Sequence, residues 1–191
     1  MKKVFSVLAV LVLGVVLVSC NKLSSEVVVD EAHDYVITGQ FADWGSAVDD
    51  EKNYMTAIAQ ADERIKSLNK KDLKDAKYVY IIEVTFSDEE AGWTAAYTID
   101  GEEVEVDGNL TVKILQVNEG AEAPNWWGQS PESGEVKSLT PDTLYIPPFV
   151  EENVDNAGGW NDNPIVFEAG TYYMVYVQYS NTEHGLAAIK K

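Results

Sequence analysis

The stretch Tyr35-Val36-Ile37-Thr38-Gly39-Gln40-Phe41-Ala42-Asp43-Trp44 predicts how this chain begins its fold. Its first four residues are aromatic or β-branched and show no helical spacing, which is typical of a β-strand. Gly39 then permits a bend, and Phe41 and Trp44 place two large rings directly after it. We therefore expect a first strand over about 34–41 that ends in an aromatic corner, and a domain of mainly β structure.

The clearest strand elsewhere in the chain is predicted from Lys77 to Phe86. Val79 and Ile81 make one face apolar, and the opposite face carries a second alternating set: Tyr78, Tyr80, Ile82, Val84 and Phe86. A strand that is apolar on both faces is expected in the middle of a sheet.

Asp-Gly pairs divide the next part of the chain into strands. Asp100-Gly101 separates the strand predicted over Trp93–Ile99 from Glu102–Val106, and this dipeptide between alternating runs is a strong hairpin signal. Asp107-Gly108 repeats the signal before Leu110–Val117, so the sequence predicts a meander of three strands.

The end of the chain predicts three further strands, over Pro164–Phe167, Thr171–Tyr179 and Gly185–Ile189, the last at a sheet edge. One segment shows a different period, since apolar residues recur at helical spacing after Thr56, which could cap a helix: Ile58, Ala61, Ile65 and Leu68. The predicted fold is a single mainly-β sandwich, of immunoglobulin-like or carbohydrate-binding-module type, with one helical insertion packed on one sheet.

The N-terminus has the pattern of a bacterial export signal. Met1-Lys2-Lys3 is basic, residues 4–18 are almost wholly apolar, and the run is short for a membrane span. Leu17-Val18-Ser19-Cys20 resembles the lipobox of bacterial lipoproteins, in which the Cys is lipidated after cleavage. We therefore predict a signal peptide over 1–19, a lipidated Cys20 with a tether over 20–33, and one domain over 34–191. The alternative is an ordinary signal peptide followed by an incidental Cys.

The charge of the chain narrows the class of ligand. The formal net charge is −18, and loss of Lys2 and Lys3 lowers it to −20. Such a surface repels nucleic acids and anionic lipid headgroups, which disfavours a nucleic-acid role, and it suits neutral ligands or divalent cations.

The long irregular segment Asn118–Asn163 contains three tryptophans. An aromatic face can cover the C–H patches of a sugar ring while amide groups bond its hydroxyls. The segment offers that combination at a set of predicted ligand residues: Asn125, Trp126, Trp127, Gln129, Trp160, Asn161 and Asn163. The alternative is that these rings cap the ends of the sandwich, and for Phe41 and Trp44 a structural role is favoured. Adjacent residues of a strand face opposite ways, so an extended segment would turn at most one of Trp126 and Trp127 to a ligand.

The order of these motifs resembles a known family. Gly39-x-Phe41-x-x-Trp44, the strand that ends in Asp100-Gly101 and the closing run Asn163–Tyr172 are similar to the carbohydrate-binding domains of SusE/SusF-type outer-membrane lipoproteins. The opening corner also resembles that of starch- and glycogen-binding modules. The resemblance implies a non-catalytic, glycan-binding sandwich at the cell surface, and Asn21 after Cys20, where Asp would favour inner-membrane retention in some bacteria, favours the outer membrane.

Other functions receive less support from the residues. His33 and His184 belong to no zinc motif, and the chain has no Gly-x-Ser-x-Gly elbow, so an enzyme is disfavoured. No cofactor is predicted, but Ca²⁺ is an alternative ligand of the acidic stretches Asp49–Glu51, Glu151–Asp155 and Asp162. The rival function is an envelope lipoprotein, facing the surface or the periplasm, that serves as an accessory subunit and contacts outer-membrane protein partners.

Overall fold

The computed structural model describes residues 22–91, 95–99, 102–106, 109–118, 125–127, 141–144, 146, 163–166 and 168–191. At residues 91, 95–99, 102–106, 109–111, 125–127 and 163–166 the description covers the backbone. Cys20 and the predicted signal peptide lie outside these ranges.

The described residues contain ten strands, with short helices between some of them. The strands are β1 His33–Gly39, β2 Thr56–Ala57, β3 Tyr78–Phe86, β4 Ala95–Ile99, β5 Glu102–Val106, β6 Asn109–Asn118, β7 Asn125–Trp127, β8 Asn163–Val166, β9 Gly170–Gln178 and β10 His184–Lys190. The α-helices are α1 Lys70–Lys74 and α2 Asp88–Ala91, and the 3-10 helices are Gln40–Ala42, Trp44–Asp49, Glu51–Asn53 and Glu63–Ile65.

The strands pair into two four-stranded antiparallel sheets and one hairpin. In the first sheet β6 pairs with β1 on one side and with β7 and β8 on the other. The second sheet has the order β10-β9-β3-β2. Strands β4 and β5 form a separate two-stranded sheet.

The two larger sheets pack face to face, which confirms the predicted mainly-β fold and its sandwich arrangement. Their facing sides share one core cluster, whose buried members include Tyr35 and Ile37 of β1, Val112 and Ile114 of β6, Tyr80 and Phe86 of β3, and Tyr172, Met174 and Tyr176 of β9. The aromatic rings touch, with ring centroids 4.6 Å apart for Tyr35 and Tyr80 and 4.9 Å apart for Tyr35 and Tyr176. The side of β3 that faces this core carries the alternating residues predicted to share one face, Tyr78 to Phe86.

The outer side of the second sheet is also buried. Val79 and Ile81 of β3 and Val175 and Val177 of β9 pack beneath a covering segment, residues 58–76, which contributes Ile58, Ile65, Leu68, Leu73 and Ala76. Strand β3 is thus apolar on both faces, as the sequence predicts for a strand inside a sheet.

The continuous helix predicted after Thr56 is wrong. Thr56 pairs with Ile81 in β2, and the amide of Ile58 extends that pairing by donating to the carbonyl of Val79 at 2.9 Å. Two separate short helices follow, because the Asp62 side chain caps the start of the 3-10 helix Glu63–Ile65 and the Asn69 side chain caps the start of α1. The apolar spacing does identify buried residues, but sheet pairing and local caps replace the helix.

The predicted three-stranded meander is wrong in part. The hairpin at Asp100-Gly101 is confirmed, since Ile99 pairs with Glu102. Strand β6, however, pairs with β1 over seven residues, from Val112 opposite Gly39 to Asn118 opposite His33. Pairing with β1 lets Val112 and Ile114 enter the shared core, which a third meander strand beside β5 would not do.

The described part of the predicted tether is packed on the domain. Leu23 lies against the outer cluster of the second sheet. The carbonyl of Ser24 accepts a hydrogen bond from the amide of Ala61 at 2.9 Å, and Val27 forms an antiparallel β-bridge with Ala59. The chain is therefore attached to the sandwich from Leu23 onward and does not stand free of it.

Candidate functional site

The structure places part of the predicted sugar site on one strand. Asn125, Trp126 and Trp127 form β7, opposite Gln116, Leu115 and Ile114 of β6. Asn163 begins β8, opposite Val112. Gln129, Trp160 and Asn161 lie outside the described residues, so the grouping of the full set stays a prediction.

The register of β7 separates its two tryptophan positions. Ile114, opposite Trp127, belongs to the core between the sheets, whereas Leu115, opposite Trp126, belongs to a cluster on the outer side of the first sheet. Paired residues share a face and neighbouring residues alternate, so position 126 lies on the outer face and position 127 on the inner face. The backbone at these positions is extended. For an extended segment, the sequence predicts that at most one of the two tryptophans faces a ligand.

Next to position 126, the outer face of the first sheet carries Lys113, whose side chain lies beneath the ring of Trp44. Lys113 is two residues before Leu115 on β6 and therefore on the same face, and Thr38 of β1 is its cross-strand partner. The Nζ atom of Lys113 lies 6.0 Å from the centroid of the Trp44 ring, within reach of a cation–π attraction. We call Thr38, Asp43, Trp44, Lys113 and position 126 the outer-face site.

An unusual backbone holds Trp44 at this position. Asp43 has φ 51° and Trp44 has φ 49°, so two successive residues that are not glycine adopt the left-handed conformation. Each such residue costs about 1–2 kcal/mol, and a bulky one is a true outlier. Two hydrogen bonds fix the bend: the Thr38 hydroxyl donates to the Trp44 carbonyl at 2.5 Å, and the Ser46 amide donates to the Asp43 carbonyl at 3.1 Å.

The site combines three kinds of group within a small area. Trp44 is half-buried and Asp43 is exposed, while Lys113 is only 8 % exposed beneath the ring. A flat apolar face, a carboxylate that accepts and an ammonium that donates are the groups that bind the two kinds of surface on a sugar.

Sequence reasoning missed most of this site. The sequence favours a structural role for Trp44 and indicates no role for Lys113. The sequence does contain a signal for Lys113, because this residue interrupts the apolar run Val112–Leu115. A charged side chain in an otherwise apolar strand requires a polar or aromatic partner if it is buried. The structural role expected for Phe41 is observed, since its ring packs edge-on against Phe86 with centroids 5.3 Å apart.

A second polar cluster closes one end of the sandwich. The hydroxyl of Tyr35 donates to Oδ2 of Asp30 at 2.8 Å and also contacts Oε1 of Gln178, and Nδ1 of His33 lies 2.8 Å from the same Asp30 oxygen. His184 pairs with Gln178 across β9 and β10. The two histidines, far apart in sequence, thus lie at the same end of the sandwich.

The electrostatics of this cluster favour a structural role. Burial opposes the charge of Asp30, but hydrogen bonds from the side chains of His33 and Tyr35 and from the Ala32 amide outweigh it and hold the pKa of the carboxyl below its usual value. Burial also raises the pKa of the Tyr35 and Tyr176 hydroxyls, which keeps both phenols neutral. A fully bonded carboxylate among neutral phenols is poorly suited to proton transfer.

The calcium alternative at Asp49–Glu51 receives no support from the structure. In the described ranges no group of three or more His, Cys, Asp or Glu side chains is arranged to hold a metal ion. Asp50 instead caps a 3-10 helix and pairs with the Lys52 ammonium at 2.8 Å. Glu151–Asp155 and Asp162 lie outside the described residues.

Comparisons of the chain with protein-family models, with curated proteins and with solved structures give no match. Among the described residues, no helix has the length and apolar character needed to cross a bilayer.

Proposed function

We propose that this protein is a lipid-anchored envelope protein that binds a neutral glycan without catalysis. The observation that carries the proposal is the display of Trp44 on the outer face of the first sheet by two left-handed residues, directly over Lys113. Strain of this kind persists where the surrounding structure holds it, and such positions cluster at functional sites.

Trp44 and Trp126 are the proposed stacking residues. Position 126 is opposite Leu115, and Lys113 is its diagonal neighbour on the same face, at the separation that long side chains bridge. A sugar ring on Trp44 would present its hydroxyl rim to the Lys113 ammonium and the Asp43 carboxylate. The net charge of −18 favours a neutral polysaccharide over an anionic one.

The anchor is proposed from the sequence. Acylation at Cys20, in the lipobox-like Leu17–Cys20, would place the sandwich at a membrane surface, where the SusE/SusF-type resemblance implies the outer membrane. Each buried CH₂ of an acyl chain contributes about 0.8 kcal/mol, so two or more chains give a stable anchor.

One observation favours the rival role as an accessory subunit that contacts another protein. Val27, Val28 and Val29 are 51 %, 47 % and 55 % exposed, and they follow one another on the segment bridged to Ala59. A run of exposed valines at a sheet edge suits pairing with another chain.

Affinity electrophoresis separates the two proposals. The chain from Lys22 onward would be run through gels that contain α-glucans, β-glucans, mannan or xylan, together with Trp44→Ala, Trp126→Ala and Trp160→Ala. Tyr173→Ala is the control, because it removes a half-buried aromatic ring from the second sheet, away from the outer-face site.

We expect one polymer to retard the protein, and Trp44→Ala to abolish that retardation while Tyr173→Ala keeps it. Retardation lost only in Trp160→Ala would move the glycan site to the loop and contradict the outer-face site. No retardation by any polymer would reject glycan binding and leave the accessory role as the better proposal.

A further inference from the structure

Residues 58–77, which include the covering segment, carry the opposite charge from the remainder of the chain. They contain six basic and four acidic residues, for a net charge of +2, whereas the whole chain carries −18 and the remainder therefore −20. The six basic side chains are all exposed: Arg64, Lys66, Lys70, Lys71, Lys74 and Lys77. A charge asymmetry of this size points to a partner for the basic part that differs from the partner of the acidic part.

The beginning of the described chain is docked on this same segment. Lys22 and Leu23 line an open cavity of about 320 Å³ whose other walls include Lys66, Lys70 and Leu73. The docking is fixed by the Ser24 amide, which donates to Oε1 of Gln60 at 3.1 Å, and by the packing of Leu23 on the outer cluster. Leu23 is therefore held next to the basic residues of the segment.

The chain between Cys20 and Leu23 is short. Only Asn21 and Lys22 lie between Cys20 and Leu23, and a fully extended chain spans at most about 11 Å over these three steps from one residue to the next. Screening in physiological salt acts over a Debye length of about 8 Å. An acylated Cys20 thus brings the ammonium groups of Lys22, Lys66 and Lys70 within one or two Debye lengths of the lipid headgroups.

The acidic residues near the cavity are partly neutralised by local partners. Arg64 binds Asp62 at 2.8 Å, and Lys66 lies 3.6 Å from Glu63. Lys70 and Lys74 are four residues apart on α1 and share one side of that helix, while Leu73 is buried beneath it. The side of the segment next to the N-terminus therefore presents ammonium groups outward.

We propose that a basic face, formed by Lys22, Lys66, Lys70 and Lys74, contacts the anionic phospholipid headgroups of the membrane that holds the anchor. This inference rests on the lipid anchor proposed above. Because the covering segment lies on the second sheet and the outer-face site on the first, the contact directs Trp44 away from the bilayer and toward the medium. The acidic remainder of the chain is repelled by the same headgroups, which strengthens the orientation.

The test uses the mature protein from the membrane fraction, reconstituted in vesicles of phosphatidylcholine or of phosphatidylcholine with phosphatidylglycerol. Intact mass establishes whether Cys20 is acylated. Lysines are then acetylated for increasing times, and the rate at each lysine is read by peptide mass spectrometry. Lys52, Lys190 and Lys191 are the internal controls, since they are exposed and lie elsewhere on the domain.

We expect anionic vesicles to slow acetylation of Lys70 and Lys74 about fivefold or more relative to neutral vesicles, since each basic residue gains about fivefold in partition at an anionic surface. High salt should remove the difference, and the control lysines should keep their rates. A Lys70→Gln/Lys74→Gln variant should lose the protection of Lys22 and Lys66, whereas Lys52→Gln/Lys190→Gln should retain it.

Equal rates in both vesicles with an acylated Cys20 would overturn the basic face and leave the anchor and the glycan site standing. An unmodified Cys20 would overturn the anchor and this inference together. Both results are distinct from a failure of glycan binding, which the gels measure separately.

Discussion

The two sheets of the sandwich have outer faces of opposite character. The second sheet buries Val79, Ile81, Val175 and Val177 beneath residues 58–76. The first sheet also has an apolar cluster, around Val36 and Leu115, but its outer face then continues into Thr38 and Lys113 under the ring of Trp44. The second sheet is thus apolar on both faces, whereas the outer face of the first sheet is interrupted by polar side chains, and this interruption is where we propose that a ligand binds.

The largest effect is expected from moving a charge to the structural face. Val175 is fully buried on the outer side of the second sheet, so Val175→Lys places an ammonium among the apolar residues beneath the covering segment. We expect a loss of about 4 kcal/mol or more in the free energy of unfolding, measured by urea denaturation.

Val117→Lys is the matched control on the first sheet, where Val117 is only half-buried at the outer cluster. Val117→Lys should lower the free energy of unfolding by much less than Val175→Lys does. Equal losses in the two variants would erase the distinction between the two outer faces.

A smaller effect is expected where the two sheets meet, at Asp30. The pKa of this carboxyl is lowered in the folded state, so the unfolded chain binds more protons as pH falls, and the stability that Asp30 provides is present above about pH 4 and lost below it. Asp30→Asn should cost about 2 kcal/mol near neutral pH and should flatten the fall in stability between about pH 4 and pH 2, measured by urea denaturation at a series of pH values.

Glu168→Gln serves as the exposed comparison. The hydrogen bond from Lys190 also lowers the pKa of Glu168, but the pair is in solvent, so its loss should change the pH dependence very little. An Asp30→Asn variant with the wild-type pH profile would show that the buried carboxylate does not hold the sheets together.

The contrast between the sheets also explains what the sequence could predict. Alternation along Tyr78–Phe86 and Tyr172–Tyr179 follows directly from burial on both faces, so the strands and their inward residues are readable. The pairing of β6 with β1 joins residues about eighty positions apart, and no local signal encodes it. The helical spacing after Thr56 is misleading because buried turns can satisfy the same apolar positions as a helix.

The outer-face site was harder to predict than the fold. It depends on the left-handed bend at Asp43 and Trp44, which a bulky residue rarely adopts and which Thr38 stabilises from the neighbouring strand. It also depends on Lys113, which reaches Trp44 only because β6 lies beside β1. Both features are products of tertiary structure, whereas the tryptophans of residues 118–163 are visible in the sequence itself.

The strain at the bend gives a third prediction. Asp43→Gly should raise the free energy of unfolding by about 0.5–1 kcal/mol, because glycine adopts φ 51° without steric cost and this gain exceeds its greater entropy in the unfolded chain. Asp49→Gly, in the neighbouring 3-10 helix and without a positive φ, should be destabilising. The measurement is thermal unfolding of both variants. A loss of stability in Asp43→Gly as large as that in Asp49→Gly would show that the bend is not strained.

The smallest effect on stability, and the sharpest statement about the site, is expected from Lys113→Met. Methionine keeps much of the length of the side chain and removes the ammonium, so the loss of the contacts of that ammonium, with a cation–π attraction of about 0.5–1 kcal/mol among them, is offset by relief from burying a charge. The free energy of unfolding should therefore stay within about 1 kcal/mol of wild type. Affinity for the glycan that retards the protein in the gels should fall about tenfold, because a charged hydrogen-bond donor is lost. Calorimetric titration with an oligosaccharide of that glycan measures the affinity, and Lys52→Met, at an exposed lysine, is the control. Unchanged affinity in Lys113→Met would make the lysine a support for the Trp44 ring alone, and the first sheet would then differ from the second in its packing and not in its function.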